Sequence, residues 1–266
     1  MNPFALVALL AGAALFVGML VFSEIGRRLG VARLARDPEG GLGKGAGTAE
    51  AGLFGLLGLL IAFTFSGAAA RFEDRRHLIT EEANAIGTAY LRLDLLPDDA
   101  EPAIRQLFRR YTAARSTTYR NATEQLVGGK NAALESVAEW APLQGEIWTK
   151  AWTACRRPDA PAQATMLLLP ALNDMIDITT TRTTATQNHP PTVVFLLLGG
   201  LCLVGALLVG YGMSTNAARS WFHPVIFAAI LSLTVYVIVD LEFPRLGLIR
   251  IDAADQVMVD LAKSMQ

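Results

Sequence analysis

The residues best able to do chemistry fall in two stretches. The first is RFEDRRHLITEEANAIGTAY, from Arg71 to Tyr90. Glu73, His77 and Glu81 recur at four-residue spacing, so on a helix they share one face. Arg71, Arg75 and Glu82 lie beside them as further juxtamembrane charges. A metal site wants two histidines, or a carboxylate cluster completed from other helices. A single histidine among acids and arginines fits a solvated face of ion pairs better, and no metal is expected. The second stretch is DLEFPRLGLIRID, from Asp240 to Asp252. Asp240 and Glu242 close an apolar run, Pro244 stops the helix, Gly247 permits a turn, and Arg245 is expected to pair with the acids. Ionisable groups at membrane depth are costly; they mark ion paths and gates as well as interfacial anchors. Asp240, Glu242 and Arg245 are therefore candidate membrane-exit charges.

Other chemistry has less support. The run GGLGKGAG, Gly40–Gly47, resembles a phosphate loop only faintly, because Lys44 is followed by Gly45 and no strand precedes it. A linker accounts for it. Cys155 and Cys202 form no disulfide framework and no zinc spacing, and read as small buried hydrophobes. No nucleophile–base or paired-carboxylate arrangement has supporting context, so neither an enzyme nor a cofactor is expected.

The elements that position these residues are written in the apolar blocks Phe4–Phe22, Leu53–Ala70, Val193–Val209 and Val225–Val239. About 20 apolar residues cross a bilayer core of roughly 30 Å. The first block has no positive charge before it and no small-x-small site after it, so it reads as an anchor rather than a signal peptide. The expected fold class is an all-α integral membrane protein: four transmembrane helices, with a helical-bundle soluble domain inserted between the second and third. The boundaries read as a first transmembrane helix 1–22, a polar Gly-rich loop 23–50, a second transmembrane helix 51–70, a soluble helical domain 71–191, transmembrane helices at 192–213 and 221–241, and a C-terminal tail 242–266. Within 71–191 the periodicity predicts a helix after Pro97 that Gly128–Gly129 ends, one over Asn131–Cys155 broken or kinked at Pro142, and one over Gln163–Thr186 kinked at Pro170. Trp140, Trp148 and Trp152 cluster as core.

The stretch from Ala49 to Pro97 organises the rest. It turns from apolar to charged at Arg71 without a breaker, so one helix is expected to leave the membrane and continue into water. In its apolar half Gly58, Ala62, Ser66 and Ala70 form a small ridge, while Phe54, Leu57, Ile61 and Phe65 are bulky. Small ridges let helix backbones approach in lipid, so a Leu at Gly58 or Ala62 should overfill a close contact. The bulky face suits lipid, a neighbouring helix, or a hydrophobic pore constriction. The candidate pore or packing face is thus Leu57, Ile61, Phe65, Gly58, Ala62 and Ser66.

A net charge of −1 argues against nucleic acid as a partner, which needs a basic patch. A mean hydropathy of +0.36 points to the bilayer instead. Arg27, Arg28, Arg33, Arg36 and Lys44 in the first short loop, with Arg219 in the second, place those loops in the cytoplasm. The soluble domain then falls outside it.

The stretch GLLGLLIAFTFSGAAARFEDRRHLITEEANAIGTAYLRLDLLP resembles the second span and following helix of an uncharacterised bacterial four-span membrane family sometimes labelled bestrophin-like. LPALNDMIDITTTR, Leu169–Arg182, and DLEFPRLGLIRI, Asp240–Ile251, are similar to two further pieces of its pattern. The resemblance implies four membrane helices in a bacterial inner membrane, and a homo-oligomer. Through the label's likeness to anion channels with a hydrophobic neck on the second span, it also implies a possible ion channel. Leu57, Ile61 and Phe65 would then be the neck. The competing expectation is a sensory or protein-interaction module that uses the helical bundle, with ions or a small ligand left unassigned.

Overall fold

The structure is a computed structural model. It describes the backbone of residues 3–37, 46–120, 122–215, 220–245 and 247–266, and the side chains of these except 3–5, 46, 118–120, 122–137 and 252. Lys44 and Arg219 lie outside the described residues. Among the described residues every regular element is helical: α1 Pro3–Arg36, α2 Ala46–Leu91, α3 Glu101–Arg120, α4 Ala122–Cys155, α5 Ala162–Gln187, α6 Thr192–Gly212, α7 Phe222–Glu242 and α8 Asp252–Ser264. Four described segments are long and apolar enough to cross a membrane: Leu6–Arg36, Gly47–Leu95, Ala162–Thr215 (which contains α6) and Phe222–Glu242. The chain divides into two compact units, Met1–Ala70 with His189–Phe243, and Arg71–Asn188 with Pro244–Gln266.

In the first unit α1 and α6 run parallel, with their backbones in contact. The inward face of α1 carries Ser23, Gly26 and Gly30; that of α6 carries Ala206, Gly210 and, just past its end, Ser214. A Cβ at Gly210 would fall 1.8 Å from the Ser23 carbonyl oxygen, and one at Gly26 would fall 1.9 Å from that of Leu207. A Cβ at Gly30 would meet the Ser214 Oγ at 2.2 Å. Apolar side chains gain little by leaving lipid for protein, so close backbone packing of small residues is what holds such helices together. The third helix, α7, runs antiparallel to α1: Ser232 Oγ lies 3.8 Å from Met19 Sδ, and Tyr236 packs against Gly12.

The first helix does not stop at Phe22. Residues 23–36, expected in a polar loop, continue α1 to Arg36. No proline interrupts them, and Glu24 pairs one turn on with Arg27 at 3.1 Å and Arg28 at 2.9 Å. The helix ends where Asp37 precedes Pro38, a position that disfavours helical backbone.

The second unit packs the charged half of α2 with α3, α4, α5 and α8 around Ile79, Ile86, Phe108, Tyr111, Ile147, Leu172 and Met175, all fully buried. Two expected boundaries move. Gly128–Gly129 does not end a helix: α3 stops at Arg120, and α4 runs from Ala122 to Cys155 through both glycines and Pro142. A glycine costs a helix only about 1 kcal/mol relative to Ala, which the rest of a long helix can absorb. Leu143 and Ile147, buried in the turns after Pro142, hold that part of α4 to the core. Residues 252–264, expected in a tail, form α8, which buries Met258 and ends against α3. There the Met265 carbonyl accepts hydrogen bonds from Tyr90 Oη at 3.2 Å and Arg109 Nε at 2.5 Å.

The organising helix is continuous. With no proline inside it, α2 runs 46 residues, about 70 Å at 1.5 Å per residue. Two glycine substitutions separate the helix contacts within the chain. Gly210→Leu, which must push a backbone carbonyl aside, is expected to abolish the folded protein in detergent. Gly58→Leu, whose Cβ meets nothing within 4 Å, should leave the folded yield of one chain unchanged. Size-exclusion chromatography of the two variants checks the pair.

Candidate functional site

The apolar half of α2 has two distinct faces. Toward its own unit it turns Leu57, 3% exposed, and Ala68, fully buried, with Phe54, Ile61 and Thr64 half-buried along the same stripe. The Phe54 ring meets Phe227 edge-on at 5.9 Å, and Phe54 and Leu57 fill the space left by Gly205 of α6. Thr64 returns its hydroxyl to the Leu60 and Ile61 carbonyls at 2.8 and 3.1 Å, so no polar atom on that stripe is left without a partner. The opposite face, with Gly55, Gly58, Leu59, Ala62, Phe63, Ser66 and Ala70, is exposed.

The six candidate pore or packing residues are therefore split. Leu57 and Ile61 lean on the chain's own helices, whereas Phe65, at 44% exposure, and Gly58, Ala62 and Ser66 are uncovered. Residues four apart advance by about 40° around a helix, so Phe65 sits about 80° from Leu57. The contact of α2 within its unit is made by its bulky stripe, and the small ridge expected to pack closely is exposed among the described residues.

At the start of the charged half, Glu73, His77 and Glu81 do form a solvent-facing stripe. Glu73 pairs with Arg76 at 2.9 Å, and His77 Nε2 with Glu81 at 3.0 Å. Arg71 is half-buried. Arg75 and Glu82 correct the expected solvated face, because both are buried. The Arg75 guanidinium donates to the Ala185 and Asn188 carbonyls, each at 3.0 Å, and so caps the C-terminal end of α5, where cations are favoured. Glu82 lies three residues after Ile79 and four before Ile86, on the core-facing stripe rather than the Glu73 stripe. Its carboxylate is fully buried; it accepts from Arg115 Nε at 2.6 Å and from Arg182. Arg115 in turn stacks on the Trp140 ring, 4.4 Å from its centroid. Burial alone would push the Glu82 carboxyl up, but the charges of Arg182 and Arg115 and their hydrogen bonds outweigh it and hold the carboxyl below the ordinary value. Arg115 and Arg182 escaped the sequence reading because periodicity assigns a residue to a face and does not name its partner across helices.

At the end of α7, Asp240 and Glu242 are both fully buried. Glu242 Oε1 lies 3.0 Å from His189 Nδ1, and the His189 ring stacks on Phe243 at 4.6 Å between centroids. Arg245 makes a two-pronged ion pair with Asp255 at 2.6 and 2.9 Å, a partner its neighbours in sequence do not suggest. A planar guanidinium matches a carboxylate on both prongs, and the fold of α8 places Asp255 there. His189 and Asp255 were absent from the sequence-derived site. Among the described residues no group of three or more His, Cys, Asp or Glu side chains is placed to hold a metal ion.

A family model described as the bestrophin-like domain matches residues 50–255. The chain belongs to the bestrophin-like family. The match takes in nearly all of α2, the whole of α3 to α7 and the first residues of α8, and α1 precedes it. The bestrophin-like segment thus holds both faces of α2, the Glu82 cluster and the Glu242–His189 pair. Neither a curated protein nor a solved structure matches the chain. With four apolar helices, this bestrophin-like chain is a membrane protein.

Removing Glu82 takes a charged partner from each of two buried guanidiniums. Glu82→Ala, which leaves two buried guanidiniums beside an empty site, is expected to destabilise the second unit by about 3–5 kcal/mol, read by thermal unfolding in detergent. The cluster also sets a pH dependence. A carboxyl whose folded value is depressed contributes stability that is fully present above its unfolded value, about 4.3, and is lost as pH falls through the lower folded value. The difference in melting temperature between the parent protein and Glu82→Gln should therefore shrink as pH is lowered below about 4.

Proposed function

We propose that this bestrophin-like protein is a subunit of a homo-oligomeric, channel-like assembly in a bacterial inner membrane, with ions passing along α2 and no catalytic role. The observation that carries the reading is the uncovered face of α2. Gly52, Gly55 and Gly58 lie in a helix at positions where a Cβ would meet nothing within 4 Å among the described residues. Each costs the helix about 1 kcal/mol relative to Ala. Lipid would accept a larger side chain equally well, so lipid contact does not offset that cost, whereas close approach of a second copy's helix does. Family membership supports the same reading.

In the assembly the constriction falls to Phe65 and, at the edge of the buried stripe, Ile61. Leu57, the third neck candidate, serves packing against α6. Hydrophobic rings gate by dewetting, so a smaller side chain eases passage of ions. The residues 71–191 form the soluble bundle inserted between the second and third spans, outside the cytoplasm. A second reading, an interaction module, is favoured by the exposed apolar residues Leu91, Met166 and Leu167, gathered where Arg92 donates to the Leu167 carbonyl at 2.6 Å.

Reconstitution in planar bilayers tests the channel. Phe65→Ala is expected to raise conductance over the parent protein, whereas Leu57→Ala should lower folded yield without a comparable gain. Silence from all three proteins would remove the channel and leave the interaction module. Alkaline phosphatase fused at residue 130 should be active and at residue 40 inactive; the reverse pattern would put the bundle in the cytoplasm.

A further inference from the structure

The part of α1 beyond its apolar block does work that neither the family match, which begins after it, nor the channel reading assigns. The inward face of this segment is occupied by the contact with α6. Gly30 sits against Ser214 and the Tyr211 carbonyl, at the last turn of α6, so the apolar slab ends near Gly30 on this side. The outward face changes character at that level. One ridge at four-residue spacing is Val17, Val21, Ile25 and Leu29, all exposed and apolar, and its next member is Arg33. The neighbouring ridge carries Arg28 about half a turn inside the level of Gly30, and Arg36 about two turns beyond Arg28. The Arg28 side chain is 76% exposed and that of Arg33 is 55% exposed. Arg36 is exposed as well.

The carboxylates on the segment are Glu24, which pairs with both Arg27 and Arg28, and Asp37, 4.0 Å from Arg33. Four arginines therefore stand against two acids on one helical continuation. On the same side Trp221, 43% exposed at the start of α7, presents the kind of ring that settles at a headgroup layer. Arginines at this depth extend their charge to the surface while their stems stay in apolar surroundings.

We propose that the outward face of α1 from Ile25 to Arg36 is a contact surface for anionic phospholipid headgroups: Ile25 and Leu29 lie in the acyl boundary, and Arg28, Arg33 and Arg36 meet the phosphates. The inference rests on the membrane reading of the first unit and not on ion conduction. Two features on the segment select lipid over another protein. The apolar ridge is continuous with the part of α1 that faces the bilayer, and it gives way to charge at the depth where a headgroup layer begins. Each basic residue near an anionic surface adds a modest attraction that salt screens.

The test uses the full chain in nanodiscs of equal phosphatidylcholine and phosphatidylglycerol, with retained lipids counted by native mass spectrometry. The parent protein should retain phosphatidylglycerol over phosphatidylcholine. Substituting Arg28→Gln, Arg33→Gln and Arg36→Gln should lower that preference by about fivefold per arginine removed. The Arg→Lys triple variant should keep most of the preference, and high salt should reduce it. Equal retention of both lipids by the parent protein, or full preference in the Gln triple variant, would overturn the proposal. So would efficient cross-linking between copies through Leu29→Cys, which would assign the ridge to a neighbouring chain. Release of the protein from membranes by an alkaline wash would overturn the membrane reading beneath it, an outcome distinct from loss of lipid preference alone.

Discussion

The arrangement of the membrane unit depends on a contact between two backbones. Where α1 and α6 meet at Gly26 and Gly210, there is no room for a Cβ on either helix. In lipid such closeness replaces the hydrophobic drive that holds soluble helices together. It also commits the inward faces of both helices to each other. The antiparallel α7 lies alongside α1 through Met19 and Ser232, and α2 touches the group through Phe54 and Leu57. A helix that reaches its neighbours by one stripe leaves the other face bare.

The second unit solves a different problem. Within its largely apolar core Glu82 meets Arg115 and Arg182, so three helices, α2, α3 and α5, are joined by one carboxylate. Desolvating charges is expensive, and such a cluster stabilises a core less than packed hydrophobes would. What it supplies is register: the carboxylate can be satisfied only when both arginines arrive at the same level of α2. Arg75, one of the buried residues along α2, fixes the end of α5 in the same way by holding the Ala185 and Asn188 carbonyls.

The helical class, the continuity of α2 and the apolar blocks could all be read from the chain, because bilayer thickness and the helical repeat leave a direct imprint on residue order. The solvated stripe of Glu73, His77 and Glu81 was equally legible. Glu82 was not, although its place between Ile79 and Ile86 puts it on the core-facing side. A charge next to other charges looks exposed until its partners are known, and those are supplied 33 and 100 residues away. The same limit applies to the pairing of Arg245 with Asp255, which nothing in the residue order announces. The second half of α1 was mistaken for loop because its composition turns polar while its backbone has no reason to stop before Asp37. The small ridge of α2 was legible as a ridge, but residue order alone does not say whether its neighbour is the same chain or another.

That last distinction bears the weight of the functional account, and cross-linking resolves it. With Cys155 and Cys202 replaced, a cysteine at Ser66 on the bare face of α2 is compared in native membranes with one at Leu233 on the exposed side of α7. The account predicts covalent dimers and higher species through Ser66→Cys and little through Leu233→Cys. A chain that stays monomeric with Ser66→Cys, in lipid and at high protein density, would contradict it.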